Sequence, residues 1–203
     1  NDRSGSITSL TLKKFSTVTG DGIHNLEDLI KKDDRAKLYI DLFKEIHKSN
    51  LKTIPKINET VKLTDIGNHS KGTQFLNGNK FISKELENTF DNLSNSIDGW
   101  FYGRVDIKYN EFESLENGSD FKILEINGII AEPTHIYDST NYTYFKALKA
   151  IRSHWKSLYF IATTNHNEYN IPYKKTKTII NELVELKKYI SLIEKMQTSY
   201  KKT

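Results

Sequence analysis

The sequence WFYGRVDIKY at residues 100–109 and the sequence FKILEIN at residues 121–127 decide the predicted fold class. Both segments are rich in aromatic and β-branched residues, which favour strands. A polar connection at residues 110–120 separates them, and sequential strands joined in this way usually pair antiparallel. We therefore predict an α+β fold in which an antiparallel sheet is flanked by helices.

Polar and apolar side chains alternate along both predicted strands. Arg104 and Asp106 are two residues apart, as are Glu125 and Asn127, and residues two apart in a strand share a face. In the right register all four lie on one face, where two carboxylates need a cation to neutralise them. Carboxylate and amide oxygens suit Mg²⁺, with Mn²⁺ as the alternative, and an arginine beside them can meet phosphate oxygens. The other interpretation is a solvated sheet face with a cross-strand ion pair.

Other segments show helical or strand periodicity. The first predicted helix begins at Leu26, after an Asn25 cap. Four more helices are predicted, the second of which follows a Ser83 cap, at residues 34–48, 84–97, 143–160 and 175–199. Further strands are predicted at residues 7–19 and 60–66, and residues 67–80 are predicted to form a loop. Residues 1–160 then form one domain, and residues 161–203 form a linker followed by an amphipathic C-terminal helix.

The C-terminal helix carries a short heptad seam made of Ile179, Leu183, Leu186, Ile190 and Ile193. Packing on its own domain is one interpretation of this seam, and a homodimer or packing on a preceding part of the protein is the other.

Composition excludes several classes of protein. Cysteine is absent from the 203 residues, so disulfides, thiolate zinc sites and cysteine nucleophiles are excluded. The net charge of +4 comes from interspersed charges and predicts no nucleic-acid partner. No apolar run reaches the about 18 residues of a membrane span. We expect a cytoplasmic protein with no membrane partner.

Four blocks of sequence together resemble the ATP-grasp ligases, in particular D-alanine–D-alanine ligase-like proteins of unassigned substrate. They are TGDGIHNLEDLI (19–30), LTDIGNHSKGTQFLNGN (63–79), FYGRVDI (101–107) and ILEINGIIAEPTHIYD (123–138). The resemblance covers roughly residues 7–160. It implies that this region is the C-terminal half of an ATP-grasp domain.

The resemblance assigns a role to each polar residue of the two strands. The metal ligands of the family fall on Asp106, Glu125 and Asn127, which would hold Mg²⁺ between the β- and γ-phosphates of ATP. The catalytic and phosphate-contacting arginine of the family falls on Arg104.

Further nucleotide contacts are implied outside the two strands. The segment GNHSKG is similar to the N-x-x-R-G segment of glutamate-ligating ATP-grasp enzymes, so Asn68 would bind the nucleotide and Lys71 would take a catalytic role near the phosphates. Lys71 stands where arginine is more typical. Lys13 or Lys14 can supply another phosphate-binding cation, and Lys14 is taken as the candidate.

The implied reaction is the ATP-dependent ligation of a small-molecule carboxylate to an amine. The carboxylate attacks the γ-phosphate to give an acyl-phosphate and ADP, and the amine then displaces phosphate to form a C–N bond. The loop after the second strand lies where substrates of the family bind, which makes Glu132, His135 and Tyr137 candidates on the substrate side. His135 is the candidate for assisting proton transfer from the amine.

One departure from the family matters. The phosphate-binding lysine, glycine-rich flap and adenine-binding strand of a complete ATP-grasp enzyme are not visible in this sequence. We therefore expect the N-terminal half of the same protein to be the missing partner, and expect this chain alone to bind ATP weakly or not at all and to be inactive.

Two other functions fit the same residues. A Mg²⁺-dependent nuclease of the D…E-x-K type would use Asp106 and Glu125, although Asn127 stands where that pattern has lysine. A binding module that keeps the fold without catalysis is the other.

Overall fold

The structure, a computed structural model, describes the backbone of residues 4–200 and the side chains of residues 4–197. Within this range six α-helices and six short strands form an α+β fold, and the strands pair as three antiparallel two-stranded sheets. The predicted fold class is therefore confirmed. Residues 1–3 of the predicted domain at 1–160, and residues 201–203 of the predicted C-terminal segment at 161–203, lie outside the described residues.

The strands and helices follow one another along the chain in a mixed order. The strands are β1 (Thr11–Lys14), β2 (Thr17–Thr19), β3 (Thr60–Lys62), β4 (Gln74–Asn77), β5 (Arg104–Tyr109) and β6 (Phe121–Asn127). The helices are α1 (Leu26–Lys32), α2 (Ile40–Ile46), α3 (Lys84–Asn95), α4 (Phe112–Glu116), α5 (Tyr144–Tyr169) and α6 (Thr176–Tyr200). The sheets are β1–β4, β2–β3 and β5–β6, and the chain divides into two compact units, one ending at Leu158 and the other starting at Tyr159.

Two strand predictions need correction. The single strand predicted at residues 7–19 is two strands, because the chain changes partner at Ser16, whose carbonyl oxygen accepts from the Leu63 N–H at 2.8 Å. The loop predicted at residues 67–80 contains β4, a four-residue strand that pairs with β1. A four-residue segment gives only a weak strand pattern. The strand is stabilised by pairing with β1, which is distant in sequence and leaves no local signal.

Two helix predictions also need correction. The helix predicted at residues 34–48 is a 3-10 turn at Ala36–Tyr39 followed by the shorter α2. The linker predicted to start at residue 161 is helical as far as Tyr169, because the polar sequence there contains neither glycine nor proline. The helix ends where Asn170 adopts a positive φ of 56°, two residues before Pro172.

The main hydrophobic core lies between α1, α2 and the β2–β3 sheet. Asn25 starts α1 as predicted, because its side-chain oxygen accepts from the Asp28 N–H at 3.0 Å. The fully buried side chains of this core are large and apolar, so they supply much of its stabilisation. Its buried members are Val18, Leu26, Leu29, Ile30, Ala36, Phe43 and Leu63.

Aromatic contacts hold the β5–β6 hairpin against α3 and α4. The ring of Phe121 lies 5.9 Å from that of Phe90 on α3, and Phe112 lies 5.9 Å from Tyr109 on β5. Phe112 also contacts Phe81 at 5.7 Å. Each such aromatic pair contributes about 0.5–1.5 kcal/mol of stabilisation beyond the contribution of the apolar area that it buries. These contacts fix one end of the hairpin and leave Arg104 and Asp106 at the other.

Replacement of Phe43 by alanine tests the core. Phe43 has 0% exposure, so its removal leaves a cavity and should lower the free energy of unfolding by about 3–5 kcal/mol. Leu38→Ala is the control, because Leu38 is 71% exposed and should change stability by less than about 0.5 kcal/mol. Urea unfolding measures both, and equal losses for the two variants would contradict this placement of the core.

Candidate functional site

The register of the β5–β6 hairpin brings the four predicted polar residues to one face. Arg104 pairs with Asn127 and Asp106 pairs with Glu125. Directly paired residues of an antiparallel sheet project to the same side, with Cβ atoms about 4.5–5.5 Å apart. The predicted antiparallel pairing and the shared face are therefore confirmed.

The backbone is irregular next to this face. Asp106 pairs with Glu125 but the next residue, Ile107, pairs with Ile123, so Leu124 is the extra residue of a β-bulge. Gly103 precedes the polar pair, and a Cβ atom there would collide with the carbonyl oxygen of Asn127 and with a tryptophan ring. Only glycine lets the two strands approach this closely at the end of the hairpin.

Asp106 is the centre of a network of charged and polar groups. Its Oδ1 accepts from Arg104 Nε at 2.9 Å and its Oδ2 from Lys13 Nζ on β1 at 2.7 Å. The side-chain amide of Asn127 is oriented to match its neighbours. In this orientation Asn127 Oδ1 accepts from Arg104 Nη2 at 3.2 Å, and Asn127 Nδ2 donates to Glu125 Oε1 at 3.0 Å. A continuous chain of contacts thus links Lys13, on a separate sheet, to Glu125.

The two cations determine the charge state of Asp106. Its side chain is only 14% exposed, and this burial raises its pKa. The hydrogen bonds and charges of Lys13 and Arg104 lower that pKa by more, so the net shift is downward. Asp106 is therefore a carboxylate at neutral pH, and two cations balance the two carboxylates of the network.

The oxygen atoms of the network are of the chemical type that binds a hard divalent cation, but they are not arranged as a complete metal site. Asp106, Glu125 and the amide oxygen of Asn127 are oxygen ligands of the kind that Mg²⁺ binds. The described residues hold no group of three or more histidine or acidic side chains arranged for a metal ion. Both oxygens of Asp106 also have cationic partners, so a metal ion has to displace Lys13 or Arg104 from one of them. Such displacement is favourable when phosphate oxygens take up the released cation.

The structure places Lys13, and not Lys14, beside Asp106. Neighbouring residues of a strand point to opposite faces, so Lys14 lies on the other face of β1. Of the two candidate lysines it is thus Lys13 that contacts Asp106, while the role of Lys14 in binding phosphate stays a prediction. Sequence alone did not decide between them, because both faces of this short strand carry polar residues.

The GNHSKG loop lies next to Lys13. A Cβ atom on Gly67 would contact the Lys13 side chain at 3.4 Å. Asn68 caps the one-turn helix His69–Lys71, since its Oδ1 accepts from the Ser70 N–H at 3.1 Å. The loop thus meets Lys13 at Gly67, and Asn68 has a structural role as the cap of the short helix that contains Lys71.

Gly72 fixes this loop to the core. Its φ of 93° is strained for other residues, and a Cβ atom there would lie 2.9 Å from the Phe43 ring. The Gly72 carbonyl oxygen accepts from Arg35 Nε at 2.9 Å and from Ser16 Oγ at 2.7 Å. The loop therefore has a defined position relative to β1.

An aromatic cluster of His69, Phe75 and Tyr137 adjoins Lys13, and sequence reasoning missed it. His69 lies 5.5 Å from both other rings, and Lys13 Nζ lies 5.8 Å from the Phe75 ring centre. The Tyr137 hydroxyl donates to Glu132 Oε1 at 2.7 Å, which raises the pKa of Tyr137 to about 12. Two predicted substrate-side residues, Glu132 and Tyr137, are thus hydrogen-bonded to each other near the network.

The third predicted substrate-side residue, His135, has different surroundings. It is 2% exposed, its Nδ1 lies 2.5 Å from Ser9 Oγ, and its ring packs edge-on against Tyr142. Burial lowers the pKa of His135, so the ring is neutral at pH 7. These contacts place His135 in a cleft apart from the hairpin network, and they do not show it in contact with Asp106 or Glu125.

No family model matches the sequence, and no curated protein matches it either. Among the described residues, no helix combines the length and apolar character needed to cross a membrane.

Replacing Lys13 by alanine tests the network. The pKa of the Asp106 carboxyl should rise, because burial still raises it while one of the two lowering cations is lost. A pKa lowered by folding stabilises the protein above the unfolded-state pKa, and this stabilisation is lost as the pH falls through the folded-state value. The variant should therefore also lose less stability than the wild type on acidification.

An NMR titration of the side-chain carboxyl carbons measures this shift. Lys14→Ala is the matched control and should leave the Asp106 pKa unchanged, because its side chain points away from the network. Equal shifts in the two variants, or none in Lys13→Ala, would contradict the assigned contacts.

Proposed function

We propose that this chain belongs to a Mg²⁺- and ATP-dependent ligase that joins a small-molecule carboxylate to an amine. The observation that carries the proposal is the network of Lys13, Arg104, Asp106, Glu125 and Asn127 on one face of the hairpin. It combines oxygen ligands for a divalent ion with two cations for phosphate oxygens.

Charge balance supports a ligand with both metal and phosphate. The network is neutral by itself, so a divalent cation alone adds two uncompensated positive charges. A metal–triphosphate complex brings negative charge with the cation. In our proposal Arg104 and Lys13 then turn from Asp106 to the phosphate oxygens, and Asp106 and Glu125 turn to the metal ion.

Each residue has a defined task in this proposal. Asp106, Glu125 and the Asn127 amide oxygen hold the metal ion, which supplies Lewis-acid polarisation of the phosphate oxygens when bound. Arg104 and Lys13 orient the phosphate group and offset its charge as it is transferred. Asn68 and Lys71 extend the phosphate contacts from the adjoining loop.

The aromatic cluster beside Lys13 fits the substrate side of the reaction. Tyr137 and Glu132 are hydrogen-bonded to each other, and they offer a carboxylate that can receive the ammonium group of an amine substrate. The absence of cysteine is compatible with the reducing cytoplasm, where we place the reaction.

A Mg²⁺-dependent nuclease is the second candidate, and one contact favours it. That chemistry needs a lysine beside two carboxylates, and Lys13 lies 2.7 Å from Asp106 although Asn127 stands in the expected lysine position. Mg²⁺-dependent nicking of supercoiled plasmid DNA that is lost in Asp106→Asn would establish this activity and displace the ligase proposal. We expect no nicking.

The metal site can be tested without a turnover assay. Titration of the chain with Mn²⁺ in the presence of inorganic triphosphate, followed by the paramagnetic broadening of amide NMR signals, should broaden residues around 104–106 and 125–127 first. Asp106→Asn should weaken Mn²⁺ binding by about tenfold or more, because it removes a charged ligand. Asp120→Asn is the control, since Asp120 lies in the loop of the same hairpin and contacts Asn110 instead of the network.

Three results would contradict the proposed metal site. They are broadening spread over the acidic side chains of the whole surface, an unchanged affinity in Asp106→Asn, and an equal loss of affinity in Asp120→Asn.

A further inference from the structure

A separate cleft of about 480 Å³ lies between α5, the end of β4, the segment before β1 and the one-turn helix Thr134–Tyr137. Its volume falls in the range of small-molecule sites, about 300–1,000 Å³. None of the five residues of the hairpin network lines it. The cleft therefore needs an explanation that the proposed ligase site does not provide.

One face of α5 forms the long wall of this cleft. Lys146, Lys149, Ser153 and Ser157 recur every three or four residues, so their side chains lie along one stripe of the helix. The stripe presents two ammonium groups at one end and two hydroxyl groups toward the other. This order matches a ligand that is anionic at one end and polar at the other.

The charges of the cleft are of one sign. No acidic residue is among those that line it. Within the described part of the chain neither Lys146 nor Lys149 has an ion-pair partner, and Lys146 Nζ contacts only the Asn141 carbonyl oxygen, at 3.4 Å. The carboxylate of Asp138 contacts two residues that line the cleft, but it is 2% exposed and accepts from the Asn77 N–H and the Asn141 amide. Two lysines without acidic partners make the cleft attractive to an anion.

Two histidines add oriented ring nitrogens to the cleft. His135 and His154 both line it, and each ring is held through Nδ1, by Ser9 Oγ and by the Tyr102 hydroxyl respectively, at 2.5 Å. The Nε2 atoms are thus the nitrogens that remain for a ligand. Burial lowers the pKa of both rings, which favours neutral donors and acceptors suited to hydroxyl groups.

We propose that this cleft binds a small phosphate monoester with a hydroxylated body, of the sugar-phosphate class. Lys146 and Lys149 bind the phosphate as point charges, in the manner of lysine at phosphate sites. The hydroxyl groups of Ser153 and Ser157, the histidine rings and the Asn77 amide bind the hydroxyl groups of the body. This proposal does not depend on the metal-nucleotide function of the hairpin.

Calorimetric titration of the full chain with glycerol 3-phosphate, ribose 5-phosphate and glucose 6-phosphate tests the cleft. At least one ester should bind at millimolar concentration or below, more tightly than inorganic phosphate and than the unphosphorylated sugar. Lys146→Ala/Lys149→Ala should lower the affinity by about tenfold or more, because it removes both phosphate contacts. Lys156→Ala is the control, since Lys156 lies on the same helix outside the cleft.

Amide NMR shifts locate the bound ester and separate this proposal from that for the hairpin. The expected changes lie at residues 135 and 146–157, and the affinity should be unchanged in Arg104→Ala. Loss of binding in Arg104→Ala would place the phosphate on the hairpin network and overturn the cleft proposal. So would equal losses in the control and double variants, or no binding of any of the three esters.

Discussion

The ion pair between Lys13 and Asp106 connects two sheets that share no strand. Lys13 belongs to the β1–β4 sheet and Asp106 to the β5–β6 hairpin, and they are 93 residues apart in sequence. Because Asp106 is mostly buried, its charge depends on Lys13 and Arg104. The GNHSKG loop and the aromatic cluster both adjoin Lys13, so the same contact organises the surroundings of the hairpin face.

The neutrality of the network links its structure to its proposed function. Balanced charges stabilise a hairpin face that carries two carboxylates, and the same charges can rearrange around a metal–phosphate ligand. In the resting arrangement the cations hold Asp106 in place. In the proposed bound arrangement they hold phosphate, so the protein has its cations positioned before the ligand arrives.

The hairpin and its polar face could be predicted from sequence, because the alternation of polar and apolar residues in a strand is a local signal. The pairing of Arg104 with Asn127 keeps the polar residues of both strands on the same face. Sequence did not predict Lys13 as the partner, since pairing between distant strands leaves no mark in either segment. For the same reason β4 was missed, although it carries Phe75 of the aromatic cluster. The polar sequence after residue 160 predicts a linker, whereas α5 continues as far as Tyr169.

Crystals of the chain grown with Mn²⁺ and inorganic triphosphate would test the central claim most directly, through the anomalous scattering of the metal. Our account predicts a strong anomalous peak bounded by the side-chain oxygens of Asp106, Glu125 and Asn127, at about 2.0–2.3 Å as for a hard divalent ion. A peak elsewhere on the protein, or electron density in which these three side chains diverge, would contradict it.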